Sequence, residues 1–214
     1  MENQYIQLVP ADLSLAEQVV DYYERNRDFV EAFEPLRSEE FFSLEYQRAV
    51  LKKEISEYKA RTAFRFYIIS VEQPAKIIGM IGLNNVVWGA FCSAFLRYKL
   101  DKDFVNKGYM SIAVEMLTKY AFEELGLHRI EANVMPKNKA SLRVLGRPYS
   151  HGKDKLRYTL NSHLPDAGKK PFPCPASPSV FPAAQAHRAR GIPRAVSTTP
   201  FLAHRSGTLL RSSG

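Results

Sequence analysis

The chain has 214 residues, enough for one α/β domain with a hydrophobic core. Its net charge of +8 is concentrated in residues 146–214, which hold 11 Lys or Arg against 2 Asp or Glu, whereas residues 1–145 have a net charge of −1. Only two cysteines and no long apolar run argue against a disulfide-stapled domain, a metal centre or a membrane-spanning helix, so we expect a soluble cytoplasmic protein.

The N-terminal part of the chain alternates strand and helix patterns. Residues 3–9 (NQYIQLV) alternate roughly apolar and polar, which predicts a strand. A first helix is expected to begin near Asp12 or Ser14, either of which can cap it. The aromatic, acidic residues 29–42 favour a partly helical connector, and the apolar spacing over residues 44–58 predicts a second, amphipathic helix.

Strand patterns dominate the middle of the chain. Three strands are predicted at residues 65–71, 76–88 and 92–100, and their short links indicate an antiparallel meander. Apolar residues then recur at helical spacing over 109–125, followed by the alternating stretch HRIEANV at 128–134. The order strand, helix, strand predicts a parallel pairing between strands 92–100 and 128–134.

A lone glycine, Gly108, precedes the helix predicted at 109–125. Because glycine has no side chain, backbone amides around it can approach a ligand closely. The first amides of a helix lack intrahelical partners and carry the positive end of the helix dipole. The pattern therefore fits an anion site, usually for phosphate, although an ordinary loop glycine is the alternative on this stretch alone.

The periodic patterns end near residue 145. Asn138 is placed to cap a short helix, KASLRVL, but from Gly146 onward only one short strand, at about 156–160, is suggested. Nine of the 13 prolines lie beyond residue 145, and that composition is typical of disordered or irregular chain. We therefore predict a folded domain over 1–145 and a basic, proline-rich tail over 146–214, joined by a frameshift, fusion or splice.

Residues 101–145 resemble the acetyl-CoA-binding half of a GNAT-fold N-acetyltransferase, and in particular the ribosomal-protein-alanine N-acetyltransferases (RimJ/RimL-like). The family's phosphate loop reads Gln/Arg-x-x-Gly-x-Gly/Ala. Here Val105-Asn106-Lys107-Gly108-Tyr109-Met110 keeps the central glycine and departs at both ends. The stretch from Asn138 to Ser141 matches the group's Asn-x-x-Ser. The resemblance covers about residues 3–145.

This resemblance implies an α/β (α+β) fold with a mixed, mostly antiparallel sheet flanked by helices, here incomplete at the C-terminal strands. It implies that the pantetheine arm of acetyl-CoA lies where strands 92–100 and 128–134 separate. The pyrophosphate would be bound by backbone amides of the loop, and Asn138 would contact the pantetheine or cap its helix. Lys107 would add a charged contact or remain solvated, and Arg97 stands near the gap where the family often has glycine. The residues implied in coenzyme binding are Asn106, Lys107, Gly108, Tyr109, Met110 and Asn138.

Acetyl transfer from acetyl-CoA to a primary amine needs a base, a polarised carbonyl and a proton for the departing thiolate. Glu131 is the candidate base, with a solvated pairing to Arg129 or Arg143 as the alternative. Ser141 is the candidate proton donor, with a plain helix-start residue as the alternative. A backbone N–H of strand 92–100 would polarise the carbonyl. The expected acceptor is a peptide N-terminus or a small amine.

Two other functions fit parts of the sequence. The chain could be a GNAT domain that lost its closing strands, leaving strand 128–134 as an exposed edge and impairing activity. It could instead bind nucleic acid through the basic segment HRARGIPRAV, although that segment lacks aromatic residues and dense clusters of Lys and Arg.

The change in composition predicts the outcome of limited proteolysis. A stable core should remain that ends between about residues 145 and 160, because the tail has too few apolar residues to build a core. A tail as resistant to protease as the rest of the chain would contradict the predicted boundary.

Overall fold

The computed structural model describes residues 1–31, 37–151 and 154–160. Its strands are β1 (Ile6–Pro10), β2 (Phe64–Ser70), β3 (Gln73–Val87), β4 (Ser93–Leu100), β5 (Arg129–Val134), β6 (Ser150–His151) and β7 (Asp154–Leu160). Its α-helices are α1 (Ala16–Arg25), α2 (Arg27–Glu31), α3 (Leu44–Lys59), α4 (Tyr109–Glu123) and α5 (Lys139–Leu145). Short 3₁₀ turns occur at Leu13–Leu15, Glu39–Phe42 and Lys102–Phe104.

The seven strands form one sheet with the spatial order β1-β2-β3-β4-β5-β7-β6. The first four are joined as an antiparallel meander, as predicted. Strands β4 and β5 are parallel, which confirms the pairing predicted from the order strand, helix, strand. The fold class predicted for the chain, a mixed and mostly antiparallel sheet flanked by helices, is confirmed.

Helices cover both faces of the sheet. On one face, α4 buries Ala113, Val114 and Leu117 in a core that also contains Ile130 and Val134 of β5. The residues of β5 alternate in burial, so these apolar side chains face α4 and the intervening residues face the other side. The opposite face carries a second core beneath α1 and α3. The sheet therefore separates two environments, one next to α4 and one next to α1 and α3.

Local capping signals were predicted correctly at two helix starts. The Asp12 carboxylate accepts a hydrogen bond from the Ser14 amide at 2.9 Å and opens the 3₁₀ turn before α1. Asn138 caps α5, with its side-chain oxygen 2.9 Å from the Ser141 amide. The connector predicted at 29–42 is partly helical where it is described; residues 32–36 lie outside the described residues.

The sheet continues beyond the predicted domain boundary at residue 145. The one short strand suggested beyond that boundary, at about 156–160, is present as β7, which pairs in parallel with all six residues of β5. The Nδ1 atom of His128 also lies 3.2 Å from a carboxylate oxygen of Asp154, which ties the two strand starts together. The expectation that strand 128–134 would be an exposed edge is therefore wrong. Residues 161–214 of the predicted tail lie outside the described residues.

A buried carboxylate fixes the end of β4. Asp101 is fully buried and accepts hydrogen bonds from Arg25, from the Asn26 side chain at 3.1 Å and from the Asp103 amide at 3.0 Å. The Asn26 side chain in turn accepts a bond from the Lys102 amide at 2.9 Å. These contacts attach the end of α1 to the loop that precedes α4. Burial alone would raise the pKa of Asp101, but these donors outweigh burial and hold the pKa below its ordinary value of 3.8.

Replacing this carboxylate should weaken the fold. Asp101→Asn removes the buried carboxylate and leaves the Arg25 guanidinium paired only with the exposed Asp21, so the free energy of unfolding should fall by about 2 kcal/mol at neutral pH. The folded-state pKa is depressed, so the stabilisation is present above pH 4 and disappears as pH falls through the folded-state value. Urea melts of both proteins between pH 7 and pH 3 should therefore converge at low pH. A constant difference over that range would contradict the role given to Asp101.

Candidate functional site

Strands β4 and β5 separate soon after they meet. They pair only at Ser93 with Arg129, Ala94 with Ile130 and Phe95 with Glu131. Beyond this point β4 continues to pair with β3, and β5 continues to pair with β7. The result is a wedge-shaped gap in the middle of the sheet.

Backbone groups of β4 point into this gap. The Cys92 carbonyl accepts a bond from the His128 amide at 2.8 Å, so it points toward β5. Backbone groups alternate in direction along a strand, so those of Tyr98 also point toward β5. No pairing with β5 reaches Tyr98 in the part of the sheet that the structure describes. The gap therefore offers main-chain groups to an extended ligand.

The loop before α4 lies at the carboxyl end of β4, where the gap is wide. Gly108 is the N-cap of α4 with φ +87°, and Asn106 also has a positive φ, +63°. A Cβ atom built on Gly108 would have nothing within 4 Å, so the bend faces open space. Within the described ranges, the amides of Tyr109, Met110 and Ser111 have no hydrogen-bond acceptor. This is the free helix start that the sequence predicts for an anion site.

The side chains around the loop divide into two groups. Met110 is buried in the core and Tyr109 is half-buried, so these two residues present their amides to the bend. The Lys107 ammonium lies 5.3 Å from the centre of the Phe104 ring and is exposed. It can reach an anion at the loop without breaking an ion pair.

Arg143 is a contact that the sequence did not predict. Its Nη2 atom donates to the Asn106 side-chain oxygen at 2.9 Å, which links α5 to the loop across the mouth of the gap. The sequence offered Arg143 as a partner of Glu131, but the structure gives it this other partner. Its position on a short helix, one turn after Asn138, is the signal that could have suggested it.

Ser141 meets a tyrosine from the far side of the gap. The Tyr98 and Ser141 hydroxyl oxygens are 2.6 Å apart, and Asn138 holds the start of the helix that carries Ser141. Burial raises the pKa of Tyr98 to about 12, against the opposing effect of the Ser141 hydrogen bond. Tyr98 is therefore protonated at neutral pH and can donate to Ser141. Tyr98 lies two residues after Leu96 and faces α4 as Leu96 does. The alternation of β4 could therefore have placed the Tyr98 side chain on this face.

Glu131 lies on the other face of the sheet. It belongs to the last pair before the strands separate, and one of its carboxylate oxygens is 2.8 Å from Nε of Arg129. This is one of the pairings that the sequence left open as an alternative to catalysis. The structure thus brings the loop, Asn138 and Ser141 together on the α4 face, whereas Glu131 borders the narrow end of the gap from the opposite face.

Among the described residues, no group of three or more His, Cys, Asp or Glu side chains could hold a metal ion. None of the helices in the described ranges combines the length and apolar character needed to cross a bilayer.

Comparison with known families agrees with this geometry. Residues 6–147 match the acetyltransferase (GNAT) domain family, and the chain belongs to that family. The matched region contains the gap, the loop before α4 and the Asn138-to-Ser141 helix start. The protein is an N-acetyltransferase, and acetyl-CoA is the co-substrate of its family.

Individual relatives show which group of the GNAT family the chain resembles. The chain is 37% identical over 155 residues to a probable N-acetyltransferase, YjcK, of Bacillus subtilis (strain 168), covering 71% of this chain and 83% of that one. It is 33% identical over 130 residues to the [ribosomal protein uS5]-alanine N-acetyltransferase of Escherichia coli (strain K12), covering 61% and 66%. The crystal structure of the ribosomal-protein-S5-alanine acetyltransferase from Vibrio fischeri superposes with a TM-score of 0.63 at 31% identity, covering 68% and 79%. The resemblance to the RimJ/RimL-like group is thereby confirmed.

Alanine variants of two glycines with similar backbone conformations test whether the loop before α4 binds the coenzyme. Gly108 and Gly126 both have positive φ, +87° and +71°, and both have open space at the Cβ position. Alanine at either should lower the free energy of unfolding by about 1 kcal/mol. Only Gly108→Ala places a methyl group beside the free amides, so only this variant should raise the Kd of coenzyme A, by about tenfold or more, in calorimetry. Equal affinities of the two variants would contradict the loop assignment.

Proposed function

We propose that this enzyme transfers the acetyl group of acetyl-CoA to a primary amine, namely the α-amine of a peptide or protein N-terminus or a small amine, by direct attack in a ternary complex. The observation that supports the proposal most strongly is the gap between β4 and β5 with unpaired helix-start amides at its wide end. The relatives named for acetylation of ribosomal-protein alanine favour a protein N-terminus as acceptor.

In this proposal the loop binds the diphosphate of the donor. The backbone amides from Asn106 to Met110 donate to the phosphate oxygens, and Lys107 adds a positive charge. Asn138 holds the start of α5, and Ser141 of that helix contacts Tyr98 of β4 at the gap. The pantetheine arm forms main-chain hydrogen bonds with strand edges in the gap, as an added strand does.

The reaction requires a neutral amine and a polarised thioester. An α-amine has a pKa near ~8, so a weak base acting directly or through one water can supply the neutral form. Glu131 is proposed as that base, and a water or the acceptor would have to share its carboxylate with Arg129. The amine nitrogen then bonds to the carbonyl carbon, while the Tyr98 backbone N–H stabilises the charge that develops on the carbonyl oxygen.

Collapse of the tetrahedral intermediate breaks the bond between carbon and sulfur. Ser141 is proposed to give its hydroxyl proton to the departing thiolate. The Tyr98 hydroxyl, 2.6 Å away, replaces that proton and takes one back from solvent. This arrangement keeps acid and base apart, because Ser141 is on the α4 face and Glu131 is on the opposite face. The amine loses a proton on one side of the sheet and the sulfur gains one on the other.

Matched variants test these roles. Ser141→Ala should lower kcat about tenfold to a hundredfold with an N-terminal alanine peptide and leave the Kd of coenzyme A within about twofold, because the proton donor acts on the leaving group. Tyr98→Phe should cause a smaller loss, and Ser56→Ala on α3 is the control. Thiol release and peptide mass measure the reaction.

The same assay separates the competing functions. A Ser141→Ala variant as fast as the unmodified enzyme would contradict the proton-donor role. An unmodified 214-residue chain that neither binds coenzyme A in calorimetry nor releases thiol would favour the impaired-domain alternative.

A further inference from the structure

One face of the sheet is open next to the gap. On this face α1 packs mainly on β3 and α3 packs mainly on β2. Lys99, near the end of β4, contacts Tyr23 of α1, whereas the two preceding residues of β4 on this face are exposed in the part of the chain that the structure describes. Phe95 of β4 is 36% exposed there, and Arg97 and Asn133 are also exposed. Central strands of a sheet normally carry buried side chains, so an exposed face at this position is a surface available to a ligand.

This surface is basic. Its charged side chains come from the residues of β4, β5 and β7 that alternate with the buried ones, and the register sets them in neighbouring rows. We call the four cations the basic floor; they are Arg97, Arg129, Lys155 and Arg157. Glu131 is the one acidic side chain that these three strands present on the same face, and it pairs with Arg129.

The basic floor has more charge than its acidic neighbour can neutralise. Within the described residues, the side chains of Arg97, Lys155 and Arg157 have no carboxylate partner. Arg157 is the residue of β7 that pairs with Glu131, about 5 Å away across the strands. Phe95 is the residue of β4 that pairs with Glu131, and Arg97 lies two residues further along β4, about 7 Å from Phe95. The cations therefore surround the narrow end of the gap.

We propose that the basic floor selects acceptors with a carboxylate next to the reacting amine, such as a peptide with Asp or Glu at its second or third position. This inference rests on the proposed function, because it assumes that the acceptor amine enters at the gap. An extended peptide advances about 3.3 Å per residue, so these two positions lie within reach of Arg97 or Arg157 when the amine is at Glu131. The guanidinium groups also disfavour the ammonium form of the incoming amine.

A nucleic-acid partner fits this surface less well. The basic floor surrounds an acidic side chain, Glu131, which would repel a phosphate chain crossing it. It also covers only a few residues beside the gap, whereas a polyanion is bound along an extended track. An acidic peptide can use the cations at its side chains and keep its amine, which is positive or neutral, next to Glu131.

Matched acceptor peptides test the proposal. Ala-Asp-Ala-Ala and Ala-Asn-Ala-Ala, both with amidated C-termini, differ by one charge, and free alanine and alaninamide form the corresponding small-molecule pair. The acidic peptide should have a kcat/KM about tenfold higher than its neutral partner at low salt, and the ratio should fall as salt is added. Arg97→Gln and Arg157→Gln should each reduce the ratio at least threefold. Arg48→Gln, at an exposed position of α3, is the control and should leave it unchanged.

Binding measurements make the test independent of turnover. Fluorescence anisotropy of labelled peptides should show the same preference and the same dependence on Arg97 and Arg157, in the presence of coenzyme A. Binding that follows this pattern without acetyl transfer would support the basic floor and contradict the proposed function. An acid-to-amide ratio near one for both acceptor pairs would overturn the inference, as would arginine-dependent binding of a single-stranded oligonucleotide with no preference between the peptides.

Discussion

The pairing of β4 with β5 ends after three residues, and this early separation determines the rest of the site. Each strand remains held on its outer side, β4 by β3 and β5 by β7. The end of β4 is fixed by Asp101, which is buried among donors from α1. The Tyr98 hydroxyl reaches Ser141 and links β4 to α5. A gap that is held on both sides can stay open without a ligand, so the cost of ordering it on binding is small.

The same separation leaves the candidate residues on two opposite faces of the sheet. The free amides before α4 and the Ser141 hydroxyl belong to one face of the sheet, whereas Glu131 and the exposed arginines belong to the other. A donor with a diphosphate suits the first face, and an acceptor amine suits the second. The proposed acid and base are thus separated by the thickness of one sheet, which allows both substrates to be present when the acyl group moves.

Local signals were enough to predict much of this arrangement. Gly108 and the apolar spacing after it located the loop and α4, and the alternation of β5 predicted which side Glu131 faces. The contacts between Tyr98 and Ser141 and between Arg143 and Asn106 were missed, because each joins residues about 40 positions apart and no local pattern encodes it. The pairing of β7 with β5 was also missed. Leu156, Tyr158 and Leu160 alternate with polar residues and mark a strand, but no local pattern shows which neighbour that strand joins.

In the proposed mechanism, backbone amides of the loop and of β4 bind the coenzyme at the gap. Titrating ¹⁵N-labelled protein with coenzyme A and following backbone amide signals by NMR tests it directly. The largest changes should occur at Gly108 to Ser111 and at Tyr98, with signals of β1 and α3 nearly unchanged. Changes confined to other parts of the chain, or none at millimolar coenzyme, would contradict it.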